Sequence, residues 1–359
     1  MAEPAAGPIN LADFEELAAG RIDPGPLGYF AGGAWDEVTL RENVSSWRRW
    51  RLRPRMLVDV SEVSTTTELL GTEISMPVVI APVAFQRMAH PEGEEGMAKA
   101  AADAGTLMCL STIATASPSD VAAAAPEGRR WFQLYCFRDR GVTQALIDEA
   151  VANDYEAIVL TIDAPRLGWR ERDMRAGFVV PPSVTVPSVA AALGSDVPIG
   201  PAEAFALIDP TLTWADLEKL VEGCDLPVLV KGVLTAEDAE LALEHGAQGV
   251  IVSNHGGRQL DGVAPSSEAL PEIVDVVSGR ATVLVDGGIR RGTDVLVALA
   301  LGADAVMIGR PALWALAVDG HRGALRALGI LRNEIELALT LAGCTSPAAV
   351  TSEHVRHAP

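Results

Sequence analysis

Residues 227–255 read PVLVKGVLTAEDAELALEHGAQGVIVSNH. An apolar run, Pro227–Lys231, gives way to an Ala/Leu/Glu-rich stretch, Thr235–His245, and then to a second apolar run, Gly249–His255. Strands that are continuously apolar, rather than alternating, are buried on both faces, as in a parallel sheet. A helical stretch between two such strands is a crossover. Outward from this unit the same rhythm recurs. The further strand candidates are Pro77–Ala81, Thr106–Ser111, Arg130–Tyr135, Ala157–Asp163, Thr282–Asp286 and Ala305–Gly309. Helix candidates lie between most of them, among them Glu94–Ala104, Gly141–Asn153 and Thr293–Leu301. Eight βα units closing on themselves predict an α/β fold, a single (β/α)8 TIM barrel over about residues 75–345.

A chain of 359 residues could hold two domains, but a barrel with insertions absorbs that length as one, residues 1–359. An N-terminal segment, about 1–60, precedes the barrel; it opens on a short helix, Leu11–Ala19, with Asn10 as its cap. One interval breaks the rhythm. Between the fourth and fifth strands, Pro181–Asp209 is rich in Pro, Ala, Ser and Gly and has no strong period. A long loop in a compact domain is usually functional or disordered. Rising from the C-terminal rim, the loop at about 178–212 is expected to be a mobile lid.

Nearly half of the residues are apolar, ample for a large core. A net charge of −20 repels nucleic acid and anionic membrane, so an anionic ligand needs a local cluster of Arg and Lys. Cys109, Cys136, Cys224 and Cys344 are scattered without a CxxC pair, which predicts free thiols in a reducing compartment and no zinc site. The six histidines lack metal-ligand spacing, so no metal is expected. Residues 1–10 lack the basic and apolar regions of a signal peptide, and no stretch approaches the roughly 18 apolar residues of a membrane span. The expectation is a soluble, cytoplasmic protein.

In barrels the C-terminal strand ends carry the chemistry. Here they read Ser111, Gln133 with Tyr135, Thr161 with Asp163, Lys231, Ser253 with His255, Asp286, and Gly309 with Arg310. Buried strands rarely end on so many polar groups unless something polar binds among them. Val285-Asp286-Gly287-Gly288-Ile289-Arg290 and Ile308-Gly309-Arg310-Pro311 follow the last two strands. Their glycines let backbone N–H groups approach a phosphate, and each carries an Arg. A lone turn of this kind would be an ordinary tight turn; two at the phosphate positions of a barrel predict a phosphorylated ligand. Lys231, ending an apolar strand, fits a Schiff-base nucleophile, a phosphate ligand, or the partner of a flavin edge that becomes negative on reduction. Its position does not separate these.

Ser253-Asn254-His255-Gly256-Gly257-Arg258-Gln259-Leu260-Asp261 offers His255 as a general base and Arg258 as a fork for a carboxylate. A lone histidine in a glycine-rich turn would read as structural; the flanking Arg shifts the reading to catalysis. Thr161-Ile162-Asp163-Ala164-Pro165-Arg166-Leu167-Gly168-Trp169-Arg170 places Asp163 where it can orient His255, and Arg170 where it can hold an anion. The bland alternative is a helix-capping Asp with surface arginines. The basic run Trp47-Arg48-Arg49-Trp50-Arg51-Leu52-Arg53-Pro54-Arg55 suggests nucleic acid if taken alone. In so acidic a chain it reads instead as a packing strap paired with surface carboxylates.

Together these residues resemble the FMN-dependent L-2-hydroxy acid oxidase and dehydrogenase family, which includes glycolate, lactate and mandelate oxidases. The likeness runs from Tyr29-Phe30-Ala31-Gly32-Gly33 through Ala81-Pro82-Val83-Ala84, His90-Pro91-Glu92-Gly93 and Gln133-Leu134-Tyr135 to Gly309-Arg310-Pro311, and is most specific over Ser253–Asp261. The resemblance implies FMN as cofactor. It implies that Tyr29, Arg170 and Arg258 clamp the substrate carboxylate, that Tyr135 bonds the 2-hydroxyl, and that His255, backed by Asp163, takes a proton. Ala84, Ser111, Gln133, Thr161, Lys231 and Ser253 would meet the flavin ring, and Asp286, Gly288, Arg290, Gly309 and Arg310 the ribityl phosphate. O2 would reoxidise the flavin to give hydrogen peroxide, and relatives imply a homotetramer. Ile113 stands where glycolate oxidases carry Trp, which implies a less bulky wall over the substrate; Trp169 replaces a commonly basic residue. Ala84 is the residue oxidases carry, where dehydrogenase and monooxygenase members have Gly. Alternatives are the same barrel passing electrons to another acceptor, a non-catalytic flavin- or phosphate-binding barrel, and an aldolase acting through Lys231. The aldolase would be colourless, and a binding-only barrel has no need of a base.

Overall fold

The computed structural model describes residues 7–358; residues 1–6 of the opening stretch, and Pro359, lie outside them. Eight parallel strands form a closed barrel: Val78–Ile80, Leu107–Ser111, Arg129–Leu134, Ile158–Thr161, Val228–Val233, Gly249–Val252, Thr282–Asp286 and Ala305–Ile308. Each pairs with its neighbour in sequence, and Val306 of the eighth lies opposite Val78 of the first, which closes the sheet. The expected barrel is present, with strand ends displaced by a few residues. The fourth and sixth strands stop at Thr161 and Val252, so Asp163 and His255 stand on the loops just above them. The fifth continues past Lys231 to Val233 through a register shift at Gly232, whose φ is +107°. A Cβ there would lie 2.6 Å from Cβ of Asp163, so the glycine lets the two loops close up.

Side-chain parity explains the site. Val79, Cys109, Trp131, Val159, Leu229, Ile251, Leu284 and Met307 form one fully buried cluster inside the cylinder. Alternate strand residues, such as Ile80, Leu110, Phe132, Leu160, Val230, Val252, Val285 and Ile308, belong instead to the layer under the helices. Successive side chains of a strand point to opposite faces, so two residues beyond each interior position the chain faces inward again. Those positions are Ala81, Ser111, Gln133, Thr161, Lys231, Ser253, Asp286 and Gly309. Six of these eight carry polar side chains, so the top interior layer is mostly polar. Below, Leu69 and Ile74 of the hairpin Thr67–Leu69/Thr72–Ile74 join the inner cluster and plug the other end.

Helices α1 (Leu11–Ala19), α2 (Pro24–Ala31) and α3 (Val38–Ser46) precede the barrel. The first matches its predicted span, with the Asn10 side chain accepting from the Ala12 and Asp13 N–H groups. Around the barrel run α4 (Gly93–Ala104), α5 (Pro118–Ala124) and α6 (Arg140–Ala152). Between the fourth and fifth strands lie α7 (Glu171–Arg175), α8 (Pro187–Ala192), α9 (Pro201–Ala206) and α10 (Trp214–Glu222). The circuit closes with α11 (Ala236–Glu244), α12 (Ser266–Val277), α13 (Gly292–Ala300) and α14 (Arg310–Ala342), the last bent at Asp319-Gly320. The interval read from sequence as structureless thus contains α8 and α9. Each has only six residues and starts at a Pro, too short for a 3.6-residue period to show. The basic run behaves as a strap: Trp47 is buried, Arg49 pairs with Glu268, and Trp50–Leu52 forms an antiparallel ribbon with Val355–His357. No helix among the described residues is long and apolar enough to cross a membrane, and no group of His, Cys, Asp or Glu there could hold a metal ion.

Candidate active site

A cleft at the C-terminal mouth of the barrel is lined by nearly every residue singled out from sequence. Of the predicted catalytic, substrate-binding and cofactor-binding residues, Asp163 and Ser253 alone stand outside that lining, each bonded to a lining residue, while Trp169 borders a neighbouring hollow.

The floor comes from the second, third and fourth strands. Ser111 lies opposite Gln133 across the ladder. The Ser111 hydroxyl and the Thr112 N–H both donate to Gln133 Oε1, at 3.2 and 3.1 Å. That fixes the amide and leaves Nε2 buried without a partner among the described residues, as is Oγ1 of Thr161. Buried donors and acceptors ordinarily find partners. A planar heterocycle with a ring of carbonyl and N–H edges is the kind of group that supplies them, so the floor fits a flavin.

Lys231 is buried opposite Thr161, and its Nζ donates to Ser253 Oγ at 2.9 Å and meets Asp286 Oδ2 at 3.2 Å. Burial alone would lower its pKa, but Asp286 and Asp163 outweigh this and hold it above the usual value, so it stays cationic. Sequence grouped Asp286 with the phosphate ligands. In the fold it neutralises Lys231, and its other oxygen, Oδ1, is buried and unpartnered among the described residues. A carboxylate repels phosphate but accepts a hydroxyl.

At the phosphate end, Gly288 (φ +85°) packs so closely on α3 that a Cβ would lie 1.8 Å from the Asn43 carbonyl oxygen. Arg290 lies beside it, its pKa lowered chiefly by burial. Gly309 caps α14, whose first residue is Arg310. The Arg310 guanidinium donates to the carbonyls of Phe30, Gly256 and Gly32, at 2.8, 3.0 and 3.0 Å. Burial first, then Arg258 and Arg290, depress its pKa. Crowded cations of this kind attract an anion.

Above the floor, His255 Nδ1 lies 2.8 Å from Asp163 Oδ1. No bond to Nε2 exists among the described residues, and the ring lines the cleft. His255 has φ +57°, followed by Gly256 and Gly257 at +64° and +73°. This left-handed run is costly for a non-glycine residue. Neighbours hold it: Ser253 Oγ accepts from the His255 N–H, Asn254 Oδ1 from the Gly257 N–H, and the Asn43 and Asn254 amides bond reciprocally at 2.8 and 2.7 Å. Desolvation lowers the His255 pKa despite the opposing pull of Asp163; Asp163, for its part, resists burial and is held low by His255.

Tyr29, on α2, stands between two guanidinium groups: Arg258 at 4.9 Å and Arg170 at 5.4 Å from its ring centre. Arg258 donates to the Tyr29 and Gly32 carbonyls at 2.6 and 2.9 Å. Tyr135, buried next to Asp163, has its hydroxyl pKa pushed up first by burial. Ile113 is buried in the wall and Ala84 lies over the mouth of the first strand.

Sequence reasoning missed two residues. The Gln259 side chain donates to the Asp163 and Arg166 carbonyls, at 2.9 and 2.8 Å, and accepts from the Gly168 N–H at 3.0 Å. It staples the loop bearing His255 and Arg258 to the loop bearing Asp163 and Arg170. Glu94, fully buried, accepts from the N–H groups of Gln86 and Thr115 and the Thr115 hydroxyl. It ties together the loops after the first two strands. An acidic residue in the first turn of a helix ordinarily reads as a dipole partner, so nothing local marks it as buried.

The sequence profile of the FMN-dependent dehydrogenase family matches residues 18–357. The chain is 49% identical to an L-lactate oxidase of Nostoc sp. over 349 residues, covering 95% of this chain and 96% of that one. It is 46% identical to a glycolate oxidase of Spinacia oleracea over 356 residues, with 96% and 95% covered. Among solved structures, a mandelate oxidase with 3,3-difluoro-2-hydroxy-3-phenylpropionic acid superposes at a TM-score of 0.90, with 41% identity and 98% and 100% of the two chains covered. A barrel whose mouth fits a flavin and its phosphate, matched end to end by this profile and these relatives, belongs to the FMN-dependent dehydrogenase family.

Proposed function

We propose that the protein oxidises an L-2-hydroxy acid to the 2-oxo acid, with FMN as cofactor and O2 as the acceptor that yields hydrogen peroxide. The observation that carries this is the His255–Asp163 pair, 2.8 Å apart, in one cleft with Tyr135 and the Arg170–Tyr29–Arg258 cluster.

FMN, when bound, would accept two electrons together with the C2 hydrogen, a hydride equivalent, so that loss of the hydroxyl proton to a base completes the oxidation. Gln133, Thr161, Ser111, Ser253, Lys231 and the backbone near Ala84 would hold its ring; Gly288, Arg290, Gly309 and Arg310 would hold its phosphate, and Asp286 could accept from the ribityl chain. Lys231 would offer a fixed cation to any negative charge at the ring edge. Tyr29, Arg170 and Arg258 hold the acid's carboxylate, and a guanidinium fork suits a planar carboxylate. Tyr135 donates to the 2-hydroxyl, and His255 Nε2 takes the hydroxyl proton. Asp163 stabilises the resulting imidazolium, as a buried carboxylate does in a catalytic triad. Ile113 forms part of the wall beside the substituent on C2. The interval at 178–212 acts as a lid. A cytoplasmic homotetramer completes the reading; free cysteines fit a reducing compartment, and the assembly rests on the family likeness.

The deciding experiment is a visible spectrum of the pure protein, then anaerobic addition of L-lactate, glycolate and L-mandelate, then air. Yellow protein, bleaching by at least one acid, and peroxide on readmission of air are expected. A colourless protein that refuses FMN, or one that no hydroxy acid bleaches, would overturn the proposal.

Two further outcomes follow from the geometry. Desolvation holds the His255 pKa below the usual imidazole value, which favours the neutral form that serves as a base. kcat/KM should rise with pH through an acid limb displaced below that of an ordinary imidazole and then level off. Asp163→Asn removes the group that raises that pKa, so the limb should move lower while the plateau falls. A limb above 7 would contradict the assignment. Gln259→Met should keep fold and colour yet raise KM and lower kcat together, by about tenfold each, since both the clamp and the base lose their spacing. A lower melting temperature with unchanged kinetics would make Gln259 merely structural.

A further inference from the structure

Beside the cleft lies a second hollow of about 670 Å³, which shares Tyr29, Leu167, Arg170 and Phe205 with it. Its size is in the range of small-molecule pockets. The far wall comes from the interval between the fourth and fifth barrel strands, through Trp169, Met174, Phe178 and Val180. These walls are mostly apolar, and several are poorly covered: Trp169 is 53% exposed and Met174 56%. The Phe178 ring is anchored, packing 6.1 Å from that of Tyr29 and against Gly25, where a Cβ would lie 2.4 Å from the ring. One wall of the hollow is thus anchored to α2 through Phe178.

We infer that the hydroxy acid site continues into this hollow, and that the protein prefers acids with a bulky apolar substituent, an alkyl chain of four or more carbons or an aryl group, over lactate and glycolate. The inference rests on the function proposed above, which places the carboxylate among Arg170, Tyr29 and Arg258. Arg170 and Tyr29 border both spaces, so an acid held there stands at the opening between them. The side chains flanking that opening, Leu167 and Phe205, are apolar, and Ile113, buried in the wall of the cleft, adds a further apolar surface beside the substituent. A chain leaving C2 past Leu167 and Phe205 removes apolar surface from water on both partners. Asp173 and Glu203 at the edge of the hollow disfavour a second carboxylate on the substrate. The chain is more similar to an L-lactate oxidase than to the mandelate oxidase, so this preference runs against the order of sequence identity.

Each methylene buried adds about fourfold to kcat/KM. The test measures kcat/KM of the full-length FMN-loaded protein for L-lactate, L-2-hydroxybutyrate, L-2-hydroxyhexanoate, L-2-hydroxyoctanoate and L-mandelate. A rise of at least about 100-fold from lactate to the eight-carbon acid is expected on that increment. Val180→Trp, which takes up part of the hollow and narrows it, should lower the octanoate-to-lactate ratio. A flat or falling series in the native protein, with normal turnover of lactate, would overturn this inference alone, and the series stands by itself if the variant does not fold. An unchanged ratio in a folded, yellow Val180→Trp protein would also overturn it. If no acid of any length bleaches the flavin, the proposed function falls as well.

Discussion

His255→Gln is expected to give a folded, yellow protein whose turnover falls by about 10²–10⁴-fold, the usual contribution of a positioned general base. Gln matches the imidazole in reach and keeps a donor for Asp163, but offers no nitrogen that can hold a proton near neutral pH. The backbone is not the cause of the loss. Position 255 already has φ +57°, held by Ser253, Asn254 and Gly257, and Gln meets that conformation with much the same strain as His. The FMN spectrum serves as the internal control for integrity of the floor, which His255 does not build. In free-energy terms the loss is about 3–5 kcal/mol at the transition state. Turnover within tenfold of the native protein would remove His255 from the mechanism.

Arg258→Met should reduce kcat/KM by about 10²–10³-fold, mainly through KM, as expected when one partner of a buried charge pair is deleted. Two effects combine. The acid's carboxylate loses a guanidinium, and the Tyr29 carbonyl loses its side-chain donor while that of Gly32 keeps only Arg310. The second effect also loosens Tyr29, over whose ring Arg258 lies. Arg258→Lys separates them: it restores charge but not the fork, so a KM intermediate between native and Met is expected. An unchanged KM for the Met variant, measured by steady-state peroxide release, would exclude Arg258 from the clamp.

Much of this was legible in the chain. Unbroken apolar runs such as Val228–Val230 and Val283–Val285 announced strands buried on both faces, and the parity of Leu229 against Lys231, or Leu284 against Asp286, already set which polar ends face inward. Pairing of His255 with Asp163 was accessible only as a reach across the rim, because their loops follow the sixth and fourth strands with the fifth between them. The roles of Gln259 and Glu94 were not. Each acts through backbone groups of another loop, and those partners become neighbours only through loop conformations that no local pattern encodes. Asp286 shows the same limit, because its distance to Lys231 depends on how two strands two places apart tilt across the cylinder. The short helices α8 and α9 escaped notice because six residues cannot display an amphipathic period.

Arg258 and Arg310 both donate hydrogen bonds to carbonyls at 29–32, across sequence separations of 226 to 229 and 278 to 280 residues, and Asn254 is paired with Asn43 across 211. Such distant pairings form late, after chain closure over most of the polypeptide. A ribosome-bound chain that has emerged only as far as α13 therefore lacks Arg310, and with it the junction that joins the two ends of the molecule. The phosphate end of the cleft is therefore incomplete until the segment that carries Arg310 has folded back onto residues 30–32.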